Sequence, residues 1–310
     1  MTLEKADRMA GRTRPVVAGI RISSPDRPVF RDPGITKADL ARYYQQAGPR
    51  MVDLAGRRPV SLLRCPDGTA ERCFFQKHAG AGFPEALKQI EIEERSGEVA
   101  PYMYFTSVTG LVGAVQMGTV EFHIWGARTD NLERPDRIVF DLDPDEGLGF
   151  AQVTAAADRV RSLLDEIGLA STPMVTGGKG VHVIVPLKRT ASWDTVALFS
   201  RTVASMLADA EPERFVATMA KARRKDRIFI DWLRNERGAT AVAPYSVRAR
   251  KGAPVAVPVT WAELAMLKAA NGFSVTDAAR RLKRGCPLID AMTSPQHLGK
   301  AVLEGLEGLT

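Results

Sequence analysis

Hydrophobic and polar positions change rhythm along the chain. Residues 1–26 hold no sustained period and are expected to form a tail or linker. The first helix signal is Thr36-Lys37-Ala38-Asp39, a capping-box pattern ahead of LARYYQQAG, with Gly48 expected near the stop. Short strand-like runs follow (RRPVSLLR, ERCFFQKH, YMYF, TVEFHIWG), so 27–130 reads as a mixed α/β module. The second half is patterned more strongly. RIVFDLD (137–143) is a buried strand ending in acids. Residues 151–167 carry Val153, Ala156, Val160, Leu163, Leu164 and Ile167 at helical spacing, then Gly168 as a stop. TPMVT (172–176) and VHVIVPL (181–187) are strands joined by Gly177-Gly178-Lys179-Gly180. Residues 193–208 form a second amphipathic helix, and RIFIDWL (227–233) a fourth strand. The order β-α-β-β-α-β is that of a split βαβ unit, an α+β arrangement with spatial strand order 4-1-3-2. It places a core at 131–260, followed by a late helix at the Thr260-Trp261-Ala262-Glu263 capping box and a C-terminal tail over 291–310.

Composition narrows the function. The 310 residues are 45% hydrophobic and 25% charged, which excludes a disordered chain, a collagen-like repeat and a disulfide scaffold. Lys and Arg number 43 against 36 Asp and Glu, a net charge of +7 that favours polyanionic partners. Cys65, Cys73 and Cys286 are odd in number and contain no CxxC pair, which fits a reducing cytosol and argues against a zinc site. No apolar run reaches the ~18 residues of a membrane helix. The charged N-terminus lacks the apolar stretch of a signal peptide.

The chemistry gathers around acids. Asp141 and Asp143 are two apart on a strand, so their side chains share a face. Two carboxylates that close repel unless a cation lies between them, and their oxygens suit Mg²⁺ or Mn²⁺. By itself the pair is equally a solvated turn. The topology adds His182 at the start of strand 3 and Asp231 inside IFIDWL on strand 4, both beside strand 1. Taken singly, His182 is a half-buried sheet histidine and Asp231 a partner for a nearby arginine. Together with the Asp pair they make an arrangement suited to two-metal phosphoryl transfer. The glycine hairpin lacks Walker spacing and is by itself a tight turn, though its amides and Lys179 could approach a phosphate.

IVFDLDPDEG, TGGKGVHV, and IFIDWL with APYSVRAR downstream resemble the three motifs of the archaeo-eukaryotic primase superfamily, closest to the polymerase domain of bacterial ligase D. The resemblance runs from about Arg27 to about Glu263 and implies a primase-polymerase domain over 27–290. It implies that Asp141, Asp143 and Asp231 hold two divalent metals and that His182 contacts the phosphates of the incoming nucleotide. Thr176 stands where the family usually has Ser and retains the hydroxyl. Arg248 matches the triphosphate-binding arginine, with Arg234 and Arg250 as further candidates.

The same resemblance gives meaning to cations and aromatics that are otherwise ordinary. Arg27 and Lys37 flank a helix N-terminus, which favours an anion, and they fit the family's pocket for the 5′-phosphate at a DNA break. Alternation at Phe74-Phe75 sends one ring into the core and the other outward near Lys77, to stack on a template base. Glu121, His123 and Trp125 share one face of VEFHIWG. His123 is either a satisfied surface histidine or, as in family members, a group near the metal or primer end. Lys221, Arg223, Arg224, Lys225 and Arg227 form a basic loop before strand 4 that would hold strand phosphates.

The expected activity is metal-dependent nucleotidyl transfer at DNA ends. The resemblance adds Mn²⁺ activation, a preference for ribonucleotides, gap filling, and work beside Ku and an ATP-dependent ligase, in a cytoplasmic, nucleoid-associated setting. No ligase lysine motif or nuclease segment is apparent, so the chain is read as a separate polypeptide or as one domain of a larger ligase. Competing readings are a stand-alone primase, which the lack of a zinc module disfavours, and a non-catalytic DNA-end bridging module. A haloacid-dehalogenase-type phosphatase ranks lower, because Asp145 stands where that chemistry wants a small hydroxyl or valine.

Overall fold

The computed structural model describes residues 14–308, so the first part of the expected N-terminal tail lies outside the described residues. From residue 14 the tail reading fails. β1 (Val16–Val17) and β2 (Ile20–Arg21) form an antiparallel hairpin, and Val17 and Ile22 are buried. Strands this short leave no period to read.

α1 (Lys37–Ala55) begins at the capping box, where Thr36 Oγ1 accepts from the Asp39 amide. It does not stop at Gly48. A Cβ on Gly48 would come within 2.7 Å of Val108 on α2 (Val108–Gln116), so this glycine permits close helix contact rather than an ending. Buried Met51 and Leu54 carry the helix onward past Pro49. Beyond β3 (Pro28–Phe30) and β4 (Ile35–Thr36), the first half supplies β5 (Val60–Arg64), β6 (Phe74–Gln76), and β9 (Thr119–Ile124) to an antiparallel sheet. β7 (Leu87–Glu93) and β8 (Val99–Phe105) form a separate hairpin; the alternating LKQIEIE of β7 was absent from the expected strands. Cys65 and Cys73, expected to be free thiols, are joined in a disulfide because β5 and β6 fold back on each other across the intervening loop.

The second half builds a six-stranded sheet from β10 (Arg137–Pro144), β11 (Thr172–Val175), β12 (Val181–Pro186), β13 (Phe215–Val216), β14 (Ile228–Asp231) and β16 (Val257–Pro258). Its order is β13-β14-β10-β12-β11-β16, and the inner four strands follow the expected 4-1-3-2 arrangement. β10 is antiparallel to both β12 and β14. α3 (Phe150–Glu166) packs on β10 and β12, and α4 (Trp193–Ala210) on β10 and β13. Phe140 and Leu142 are fully buried, and the pleat turns Asp141 and Asp143 to the opposite side.

The two halves are not separate in pairing. β15 (Ala241–Val242), from the second half, completes the first sheet beside β9 in the order β15-β9-β5-β6. The chain ends in α5 (Trp261–Met266), α6 (Val275–Arg281), α7 (Pro287–Met292) and α8 (Lys300–Glu307). Part of the region expected as a C-terminal tail is therefore packed: Leu298 and Leu306 are buried, and Gln296 exchanges hydrogen bonds with Ala170. Among the described residues no helix is long and apolar enough to cross a membrane.

Candidate active site

Antiparallel register sets the acids in a row. Asp141 lies directly opposite His182 on β12 and opposite Asp231 on β14, so three strands deliver these side chains to one face. Asp141, Asp143 and Asp231 each place an oxygen within 4.8 Å of the others. Asp141 and Asp231 are buried. His182 is buried as well, with Nε2 3.3 Å from Asp141 Oδ1 and Nδ1 without a partner among the described residues.

Arg234 offsets part of this charge. It leaves a 3-10 turn over Trp232–Asn235 that Asp231 caps, and Asn235 pins that turn to β10 through both polar groups of Val139. From there Arg234 Nε donates to Asp141 Oδ2 and Nη2 pairs with Asp231 Oδ2, each at 3.1 Å. Burial opposes the charge on Asp141, yet His182 and Arg234 hold its carboxyl well below the usual range. Asp143 goes the other way: burial and the neighbouring Asp141 charge push it up to about 6. Burial also raises Asp231. Like-charged carboxylates with one member forced toward protonation are what a cation site looks like before the cation arrives. The all-oxygen donor set fits a divalent hard ion.

Across from the acids stands the glycine hairpin. Gly177 has φ of +68°, and a Cβ on Gly180 would meet Leu142 O at 2.4 Å, so both positions exclude side chains. Thr176 Oγ1 donates to Gly180 O at 2.9 Å and accepts from the Gly178 amide at 3.3 Å, closing the hairpin on itself. Lys179 is exposed and 3.7 Å from Glu146. Arg248 reaches the hairpin by donating from Nη1 to Thr176 O at 2.6 Å. Its Nε donates to Glu121, which also accepts from His123. Burial works against the Glu121 charge, but His123 and Arg248 bring its carboxyl down to about 2.

These groups line one open cleft of about 940 Å³ between the two sheets: Asp141, Asp143, His182, Thr176, Lys179, Arg248, Arg234, Phe75, His123 and Lys221 are all on its wall. Arg224 of the expected basic loop and Arg250, the lesser triphosphate candidate, join them, as do Glu146 and Ser61, which were not among the site candidates. Arg223 does not line the cleft; it borders a groove with Arg201, Arg227 and Trp232. The local 3-10 turn over Lys221–Arg223 explains this, since residues three apart share a side, and it is Lys221 and Arg224 that face the cleft. Arg224 stacks at 3.8 Å over the Phe229 ring.

Phe74 and Phe75 depart from expectation. Neither is core: they are 40% and 60% exposed, because β6 is a sheet-edge strand. Phe75 packs against His123 in the cleft, whereas Phe74 lies under the Arg64 guanidinium. Lys77 is outside the cleft, bonded to Glu94 and Tyr102 at 2.7 and 3.0 Å. Arg27 and Lys37 form a corner of their own. Lys37 is buried with Nζ 3.2 Å from Ser23 Oγ, and burial beside Arg27 lowers it to about 8. Arg27 Nε is buried with no hydrogen-bond partner among the described residues.

The chain is similar to known proteins. The profile of the LigD primase-polymerase domain matches residues 36–288. The multifunctional non-homologous end joining protein LigD of Pseudomonas aeruginosa is 44% identical over 275 residues, covering 88% of this chain and 32% of that protein. Its namesake in Mycolicibacterium smegmatis is 36% identical over 248 residues, covering 79% of this chain and 32% of that protein. The chain thus spans about a third of the length of these relatives. The polymerase domain of Mycobacterium tuberculosis ligase D, solved in complex with DNA, aligns with a TM-score of 0.83 at 31% identity, over 89% of this chain and 99% of that one. A profile match across most of the chain and a structural match to the whole of a solved polymerase domain lead to one conclusion: the chain belongs to the LigD primase-polymerase family, has its primase-like fold and is a nucleotidyltransferase.

Proposed function

We propose that the chain adds nucleotides to primer 3′ ends at DNA double-strand breaks, both copying a template and filling in ends, during non-homologous end joining. The observation that carries this reading is the pair of carboxylates on β10, with Asp231 of β14 grouped beside them, at a cleft walled by Arg248, Arg250, Arg224, Lys221 and Lys179. A strand end and a triphosphate are both polyanions, and this cleft pairs cations to bind them with acids to hold metal.

The reaction joins the primer 3′-hydroxyl oxygen to the α-phosphorus of the nucleotide and releases pyrophosphate. Asp141, Asp143 and Asp231 would hold two divalent ions, with Mn²⁺ favoured over Mg²⁺ by the family resemblance. Such ions, when bound, lower the hydroxyl's pKa and offset charge on the triphosphate and leaving group. The chain's own side chains bind and orient. Arg234 fixes the rotamers of Asp141 and Asp231. Arg248, His182 and Lys179 surround the triphosphate, with Thr176 holding the hairpin in shape. His123 and Phe75 border the primer end and template base on the opposite wall. Lys221 meets strand phosphates at the cleft wall, and Phe74, Lys77 and Arg223 track the strands beyond it. Preference for ribonucleotides and cooperation with Ku and an ATP-dependent DNA ligase, in cis or in trans, rest on family kinship, as does a nucleoid-associated setting.

Arg27 and Lys37 supply the pocket for a 5′-phosphate at the break, since buried Lys37 stands beside Arg27, whose Nε has no hydrogen-bond partner among the described residues, and such a pair of cations favours an anion. Extension on gapped DNA with a 5′-phosphate is therefore expected to exceed extension on the 5′-hydroxyl form. Arg27→Ala and Lys37→Met should erase that advantage, about tenfold for a lost charge-assisted contact. Variants that keep the advantage would remove these residues from the phosphate pocket.

A further inference from the structure

Glu121 lies on β9, between β5 and β15 in the four-stranded sheet, and its carboxylate is buried. Three donors converge on it. Oε1 accepts from the Ala249 amide at 2.7 Å. Oε2 accepts from His123 Nε2 at 2.8 Å and from Arg248 Nε at 3.0 Å. The Arg and amide nitrogens are obligate donors, so the oxygens are acceptors, and the nitrogen of His123 that carries hydrogen is Nε2. His123 Nδ1 then bears a lone pair. His123 and Arg248 both line the cleft, and Arg248 continues to Thr176 O in the hairpin of the other sheet.

We propose that Glu121 is a positioning residue: it fixes His123 in the Nε2–H tautomer, leaving Nδ1 as an acceptor at the cleft, and through the same oxygen aims Arg248 at the glycine hairpin. One buried carboxylate thereby sets groups on both sides of the reacting centre, joining the primer side to the triphosphate side. The inference rests on the roles given to His123 and Arg248 above. The residue type matters because glutamine cannot replace it. A Gln side chain has one oxygen for three donors, and its amide hydrogens would face at least one of them.

The test is the two-bond ¹⁵N–¹H spectrum of ¹⁵N-histidine-labelled protein, read without DNA or nucleotide. The chain has four histidines, so a His123→Gln variant identifies the signals. The wild type is expected to show His123 as the Nε2–H tautomer, and Glu121→Gln to lose that signature. In primer extension Glu121→Gln should lower kcat about 10- to 100-fold, the range for lost supporting contacts, and raise KM for the nucleotide through Arg248. Glu121→Asp keeps the charge and should recover part of both. A wild-type spectrum with hydrogen on Nδ1 overturns the proposal, even if Glu121→Gln fails to fold. So does a Glu121→Gln protein with wild-type melting temperature, kcat and KM. A wild type that never extends a primer instead overturns the function proposed above, while the spectrum is read independently.

Discussion

At Asp143 folding and chemistry pull in opposite directions. Its carboxyl is raised from 3.8 to about 6 in the folded chain. The folded state therefore holds that proton more tightly than the unfolded state. Its contribution to stability is full below the unfolded pKa and is lost as pH rises through about 6. At pH 7 and without metal, the ionised group destabilises the fold by about 3 kcal/mol. Asp143→Asn should then raise the metal-free melting temperature by a few degrees while abolishing primer extension. An unchanged or lowered melting temperature would show that the carboxylate is not electrostatically strained. The acids themselves were legible, because two-residue spacing on a strand and the 4-1-3-2 order fix which side chains meet. Glu121 was not. Its role depends on Arg248 and Ala249, whose sequence distance hides the contact. The exposure of Phe74 also escaped alternation, which assumes that one strand face is covered; β6 is an edge.

Among the elements, the glycine hairpin between β11 and β12 is tightly constrained by contact. Gly180 abuts the β10 backbone next to Asp143, with 2.4 Å from an added Cβ to Leu142 O. Gly180→Ala must push the hairpin away from the acids. The expected result is a rise in KM for the nucleotide with a loss of about 1–3 kcal/mol in stability, read by steady-state extension and thermal melting. A variant with wild-type KM would show that the hairpin does not set nucleotide affinity. Element existence was legible where the apolar period was strong, as in α3, α4, β10 and β12. Ends were less so. Gly48 carries the signal of a helix stop, but its actual work is to admit Val108. The choice of Arg224 over Arg223 for the cleft depended on a 3-10 turn that the basic run does not reveal.

Across the whole molecule, the two sheets meet at a buried charge cluster as well as at the cleft. Asp136, just before β10, pairs with Arg58 beside β5, with Arg128 at 3.1 Å and with Arg137 at 3.2 Å. Burial opposes the Asp136 charge, but Arg58 and Arg137 outweigh it and hold the carboxyl far below the usual range. For a depressed acid the stabilisation is present above the unfolded pKa of 3.8 and is lost as pH falls below it. Asp136→Asn leaves the Arg58 charge buried and without its carboxylate, and should cost about 3–5 kcal/mol; its denaturation midpoint should lose part of the acid-side dependence expected of the wild type. A midpoint within error of the wild type would place the junction's stability elsewhere. The order of the inner four strands of the six-stranded sheet was readable because a split βαβ pattern allows few topologies; the two-residue edge strands β13 and β16 were not. The union of the halves was not, because it rests on β15, two residues long, and on single charged side chains.

The most direct measurement is primer extension on gapped, 5′-phosphorylated DNA with rNTP or dNTP and Mn²⁺ or Mg²⁺, comparing the wild type with Asp141→Ala/Asp143→Ala, and measuring DNA affinity in parallel. The account predicts extension by the wild type, none by the double variant, and retained DNA binding by both. Tight binding by the wild type without extension under any of these conditions would contradict it and leave a DNA-end bridging module.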